Sequence, residues 1–171
     1  MRLFTAINFT GATKSRLLDL RDELKKTSSD GSFSAPENLH LTLVFLGECN
    51  SAMADAAKKV MDSVRFNPFE IEIDRVGRFS RDGGDIWWAG VKENKALLEL
   101  QRDLASGFKA AGFEIENRKY NPHITLGRKV ISSEKARQIE LFGETAGSVE
   151  LMKSERINGK LTYTAIHKIE G

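Results

Sequence analysis

The sequence predicts an α+β fold: two pseudo-symmetric lobes, each an antiparallel sheet with helices packed on its outside, around a central groove. Three observations lead there. Strand-like and helix-like periods run as strand, helix, strand, helix and strand pair, and a similar run then follows. The pattern His-x-Thr-Leu occurs twice inside apolar runs, at His40-Leu41-Thr42-Leu43 and at His123-Ile124-Thr125-Leu126. The 171 residues, 40% of them hydrophobic, suffice for a sizeable core and contain no linker-like or low-complexity stretch. Residues 1–171 are therefore read as a single bilobal domain. Its halves look like a degenerate duplication in which each motif strand is followed by a helix.

The elements follow in order. Arg2 to Phe9 reads as a strand, and Thr13 to Lys26 as a helix with Leu17, Leu18, Leu20 and Leu24 at helical spacing. Thr27 to Pro36, polar and containing Gly31, reads as a loop. Leu39 to Leu46 is a buried strand stopped by Gly47, and Ser51 is placed to cap a helix reaching about Val64. Phe69 to Val76 alternates Phe69, Ile71 and Ile73 with Glu70, Glu72 and Asp74, which marks a half-buried strand. Ser80 to Asp85, with Gly83-Gly84, turns it into a partner strand, Ile86 to Val91. Asn94 caps a helix from Lys95 to about Ala111, closed by Gly112. Phe113 to Ile115 reads as a short strand, Asn117 to Asn121 as a polar connection, Pro122 to Gly127 as the second motif strand and Glu134 to Phe142 as a short helix. Ser148 to Asn158 and Leu161 to Ile169 flank Gly159 as a last hairpin.

Charge and composition exclude several function classes. Twenty-six basic against 24 acidic residues leave a net charge of +2, too even for a long nucleic-acid track. An RNA ligand would be held by an end or by a few nucleotides. No apolar run is long enough to span a bilayer, so no membrane association is expected. Met1-Arg2-Leu3-Phe4 opens a strand and lacks the layout of a secretory signal. Cys49, the single cysteine, permits neither an internal disulfide nor a cysteine metal cage and is expected to be inert. A reducing cytoplasm and a monomeric state fit this composition.

The repeated motif carries the chemistry. In an extended strand, positions i and i+2 share a face, so each motif aims an imidazole and a hydroxyl the same way. Two such strands facing each other surround one small anion with two proton-transfer groups and two hydroxyls. Histidine, with an unperturbed pKa of about 6.5, can serve as base or acid near neutrality. One imidazole can take a proton from an attacking nucleophile while the other gives one to a departing group. Thr42 and Thr125 can donate to non-bridging phosphate oxygens. The sequence offers no His-x-His or His-x-x-x-His set, so no metal and no cofactor are expected.

At these residues the chain resembles the two-histidine phosphoesterase superfamily, and within it the RNA 2′,3′-cyclic phosphodiesterases, historically called 2′-5′ RNA ligases. The similarity extends over Met1 to Ile7, His40 to Gly47, Val76 to Phe79 with Ile86 to Val91, Pro122 to Arg128, and Leu151 to Ser154 with Tyr163. Lys119 and Tyr120 depart from it, standing where proline and phenylalanine are frequent. The resemblance implies that His123 activates water and His40 protonates the 3′ oxygen, leaving a 2′-phosphate on an RNA end or small nucleotide. Run backwards, the same groups would join a 2′-phosphorylated or cyclic end to a 5′-hydroxyl.

The resemblance also implies that Phe45 and Arg128, each five residues past its histidine, contact the terminal nucleotide. Strand parity opposes this, because i+5 falls on the opposite face. A bend at Gly127 could re-aim Arg128, whereas Phe45 has no such glycine and suits a core position equally. The remaining candidates have bland readings. His167 lacks a threonine at i+2 and is expected to be a partly exposed strand residue. Trp87 and Trp88 must face opposite ways, one into the core and one into the groove. Arg118, Lys119 and Tyr120, like Arg78 and Arg81, are expected on solvated loops with a lesser prospect of touching RNA. Two rival functions share the motif: a phosphodiesterase for 2′-5′ oligonucleotides or other cyclic nucleotides, and a catalytically idle module that binds RNA ends. A histidine-triad hydrolase is disfavoured, because it needs clustered His-x-His-x-His.

Overall fold

The computed structural model describes residues 1–171. In chain order the elements are β1 (Arg2–Asn8), α1 (Gly11–Lys26), β2 (Ser28–Phe33), a 3-10 turn (Pro36–Asn38), β3 (His40–Glu48), α2 (Ser51–Ser63), β4 (Phe69–Phe79) and β5 (Asp85–Val91). They continue with α3 (Lys95–Ala110), β6 (His123–Ser132), β7 (Arg137–Ala146), β8 (Ser148–Ile157) and β9 (Lys160–Glu170). Two antiparallel sheets result, ordered β3-β1-β8-β9 and β2-β6-β5-β4-β7. Helices α2 and α3 pack together against the first sheet and α1 against the second. The α+β reading with helices outside each sheet therefore holds. No helix is long and apolar enough to cross a membrane.

Several expectations are overturned. Ser28 to Phe33 is a strand and not a loop, pairing with β6 along one edge of the second sheet. Its serines and Asp30 suit a solvated edge strand, while Phe33 reaches back to the core. Arg137 to Ala146 is a strand where a short helix was expected, because β4 needs a partner on its outer side and finds it there. Gly143 lies so close to the Ile71 backbone that a side chain would collide with it, which fixes that pairing. With β6 followed by a strand, the motif-strand-then-helix duplication holds only for β3 and α2. Phe113 to Ile115 is no strand. Gly112, at φ +96, ends α3, and the Phe113 N–H bonds the Phe108 carbonyl at 3.0 Å while the two rings pack 5.6 Å apart. The cap of α2 also moves by one residue, since Asn50 and not Ser51 accepts the Met53 N–H, at 2.9 Å. Asn94 caps α3 as expected, accepting from Leu97 N–H at 3.0 Å.

One hydrophobic cluster runs through both sheets, joining Leu41 of β3, Trp87 of β5, Ile124 of β6 and the buried stripe Leu97, Leu100, Leu104 and Phe108 of α3. The detail that positions the site is a break in the β3 ladder. Ala6 pairs with Thr42 but Thr5 with Val44, so Leu43 is an extra residue, a β-bulge. The bulge exposes backbone groups in a dry interior, and Thr5, fully buried, satisfies them. Its hydroxyl accepts the Val44 N–H at 3.1 Å and faces the Val44 carbonyl at 3.5 Å. Gln101 of α3 donates to the Leu43 carbonyl at 3.3 Å.

Replacing Thr5 by the isosteric valine leaves the Val44 N–H buried without a partner. Thr5→Val is expected to lower the unfolding free energy by roughly 1–3 kcal/mol, read as a reduced midpoint in urea denaturation with an unchanged slope.

Candidate active site

The two motifs arrive from different sheets. β3 is the edge strand of one, β6 lies inside the other, and the two strands meet at the seam between them. The link is reinforced by Tyr120, whose hydroxyl crosses to donate to the Thr42 carbonyl at 2.8 Å. Burial raises the pKa of this phenol, so it stays a donor at any ordinary pH. Tyr120 was expected on a solvated loop; it is instead the tie between the lead-in of one motif and the backbone of the other.

Each imidazole is oriented the same way. His40 Nδ1 lies 2.7 Å from the Asn38 carbonyl and His123 Nδ1 lies 2.7 Å from the Asn121 carbonyl. A carbonyl only accepts, so Nδ1 carries the proton in both rings and Nε2 is the atom available for proton transfer. Aromatic edges hold the rings in place. Tyr163 meets His40 at 5.2 Å and 87°, and Phe79 meets His123 at 5.1 Å and 87°. Phe4 adds a second contact to His40 at 5.0 Å. Thr42 Oγ1 stands 2.8 Å from His40 Nε2, as i and i+2 on one face require. Thr125, half-buried, sits on the face of β6 that carries His123, opposite Trp88.

The parity objection to Phe45 and Arg128 fails in both strands. The bulge at Leu43 turns Leu43 and Val44 both to the core, so Phe45 returns to the face of His40 and Thr42, opposite Phe4. Phe45 is 60% exposed and 6.1 Å from the Phe4 ring, so it is no core residue. In β6, Trp88 pairs with Thr125 but Trp87 with Gly127, so Leu126 is likewise extra. Leu126 and Gly127 are both buried, and Arg128 emerges exposed on the histidine face. Ser34 supports this second bulge from its hydroxyl to the Thr125 carbonyl at 2.8 Å and from its N–H to the Leu126 carbonyl at 2.9 Å. The two aromatics Phe4 and Phe79 escaped the sequence reading. Phe4 could have been found from its alternation in β1, opposite the first motif.

Electrostatics show that the groups share one space. Burial pushes the His40 pKa down to about 4, and the positive charges of Arg128 and of a protonated His123 push in the same direction. His123 is lowered as well, first by burial and then by Arg128 and Arg118. Arg128 also acts on the Tyr163 phenol. Burial and the Arg128 charge thus both favour the neutral form of the two imidazoles. No three His, Cys, Asp or Glu side chains come together as a metal-holding group. His167 lies elsewhere, between β9 and α2, with Nε2 2.7 Å from Asp62. Cys49 is buried, and Trp87 fills the core while Trp88 faces the groove.

Comparison with known proteins was consistent across sequence and structure. The family model described as the 2′-5′ RNA ligase superfamily matches residues 14–160. An RNA 2′,3′-cyclic phosphodiesterase of Archaeoglobus fulgidus is 33% identical over 129 residues, which is 75% of this chain and 72% of that protein. One of Methanothermobacter thermautotrophicus is 33% identical over 147 residues, 84% of this chain and 79% of that protein. The crystal structure of Escherichia coli LigT complexed with 3′-AMP superposes with a TM-score of 0.85 at 24% identity, covering 99% of this chain and 97% of that one, a likeness of fold.

The charge arrangement makes a titration prediction. In the free protein the His40 ring is expected to protonate with a midpoint near 4, and His123 below the ordinary value of about 6.5. Because Arg128 disfavours both imidazolium ions, Arg128→Gln should raise both midpoints. Ring-carbon NMR shifts followed between pH 3 and pH 8 (roughly the span that covers both groups) test this.

Proposed function

The chain belongs to the 2′-5′ RNA ligase superfamily, and on that premise we propose that it hydrolyses 2′,3′-cyclic phosphate ends of RNA or small nucleotides to 2′-phosphates by two-histidine acid/base catalysis. The observation that carries this reading is the pair of imidazoles, each with Nδ1–H fixed on a carbonyl 2.7 Å away, so that Nε2 is the proton-transfer atom, with the Arg128 charge acting on both rings.

The steps follow from that geometry. The cyclic phosphodiester is drawn in by the Arg128 guanidinium, and its negative charge favours the imidazolium form that burial opposes in the empty groove. His123 Nε2 takes a proton from water as the water oxygen bonds to phosphorus. The bond from phosphorus to O3′ breaks, and O3′ takes the proton from His40 Nε2, leaving a 2′-phosphate. Thr42 and Thr125 donate to the non-bridging oxygens as charge gathers there. Phe45, exposed beside Phe4, stacks on the terminal base. With a 5′-hydroxyl in place of water, the same steps join a cyclic end through a 2′-5′ linkage. Both motifs belong to one chain, so a monomer is sufficient, and no metal or cofactor takes part. The single free thiol, Cys49, suits a reducing compartment such as the cytoplasm.

His40→Ala and His123→Ala are each expected to cut turnover of adenosine 2′,3′-cyclic phosphate by about 10²–10⁴-fold with the circular-dichroism melting curve retained. Product analysis should give the 2′-monophosphate, and a chelator should leave the rate unchanged. Full activity in either variant rules the mechanism out.

A further inference from the structure

The groove face of the second sheet carries a second aromatic surface that hydrolysis by water leaves unused. Trp88 of β5 projects on the face of His123 and Thr125, with its ring 6.4 Å from the imidazole of His123. It lies flat. A Cβ on Gly77, its cross-strand partner, would come within 2.5 Å of the indole, so the ring rests on bare backbone. One position along, Arg75 lies flat over Gly90 in the same way, where a Cβ would meet its Cγ, Nε and Cζ at 2.8 Å. The Arg75 guanidinium is held by Asp74 at 2.8 Å and by the Val91 carbonyl at 3.2 Å, with Cζ 5.8 Å from the Trp88 ring centre. Phe79 stands at the side of the indole, 5.4 Å away. Two glycines in adjacent strands thus let an indole and a guanidinium share one layer. Core filling does not explain it, because Trp87 fills the core and Trp88 is only half-buried.

A flat indole beside a flat guanidinium is the surface on which nucleobases stack. It adjoins His123, whereas Phe4, Phe45 and Tyr163 cluster around His40. Aromatic surfaces therefore flank both histidines. Building on the function proposed above, we propose that Trp88 and Arg75 form the binding platform for a second nucleoside, the one whose 5′-hydroxyl takes the place of water at His123. In that reaction the 5′ oxygen bonds to phosphorus and gives its proton to His123. The bond from phosphorus to O3′ breaks, and O3′ takes its proton from His40. The product is a 2′-5′ phosphodiester, and cleavage of such a linkage retraces the same steps. The platform makes Trp88 and Arg75 determinants of specificity for a nucleoside over water, and they act without touching the reacting atoms.

The test compares kcat/KM for cleavage of 2′-5′ adenylyl-adenosine with that for hydrolysis of adenosine 2′,3′-cyclic phosphate. The ratio should fall about 5- to 100-fold in Trp88→Leu and fall in Arg75→Met, a change at the exposed end of the platform, while Trp88→Phe retains most of it. Equal loss of both activities would mean that the indole only props His123, and the platform is then rejected. So is a wild-type enzyme that hydrolyses the cyclic nucleotide but leaves the 2′-5′ dinucleotide intact. Should neither substrate turn over, the hydrolase reading falls instead. The platform then stands or falls on quenching of indole fluorescence by the uncleaved dinucleotide, which must occur in the wild type and vanish in Trp88→Phe.

Discussion

A strand can present only alternate residues to one side, and this groove needs three of every six. The arrangement depends on how that constraint is broken. A single inserted residue, Leu43 in β3 and Leu126 in β6, resets the alternation after each His-x-Thr, so that positions i, i+2 and i+5 all face the cavity. The inserted residues keep their own side chains in the core, and their displaced backbone groups are satisfied by hydroxyls from β1 and from the end of β2: Thr5 for one strand, Ser34 for the other. The two bulges thus yield the same local geometry through unrelated supports. This is a stronger mark of internal symmetry than the helix order, which differs between the halves.

Burial and charge then divide the work around the histidines. Their Nδ1 protons are committed to carbonyls, which fixes the tautomer and removes ring flipping as a source of disorder. Desolvation makes the protonated forms costly, and Arg128 increases that cost for both rings. A nearby negative charge acts on an imidazolium in the opposite sense. The fixed dipoles and the guanidinium need no rearrangement once the anion is present.

Much of this was legible in the residues. The paired motifs fixed both histidines and both threonines on cavity-facing strands, Asn94 announced the start of α3, and the Trp87-Trp88 pair had to split between core and groove. What escaped had physical reasons. Ser28 to Phe33 is polar because it is an edge strand wetted on one side, and composition alone does not separate that from a loop. Arg137 to Ala146 extends because β4 demands a neighbour, a requirement set by contacts far away in sequence. The bulges have no sequence signature of their own, since Leu43 and Leu126 look like ordinary apolar strand residues. Phe45 and Arg128 therefore came from resemblance and against parity, and the backbone shows why parity misled.

The hydroxyl of Tyr120 fastened to the backbone of Thr42 has a mechanical meaning. A clamshell that opened its halves to admit cargo would have to tear that bond and strand both partners away from water. The strands that carry the two motifs are therefore tied to each other directly, through the lead-in of one and the backbone of the other.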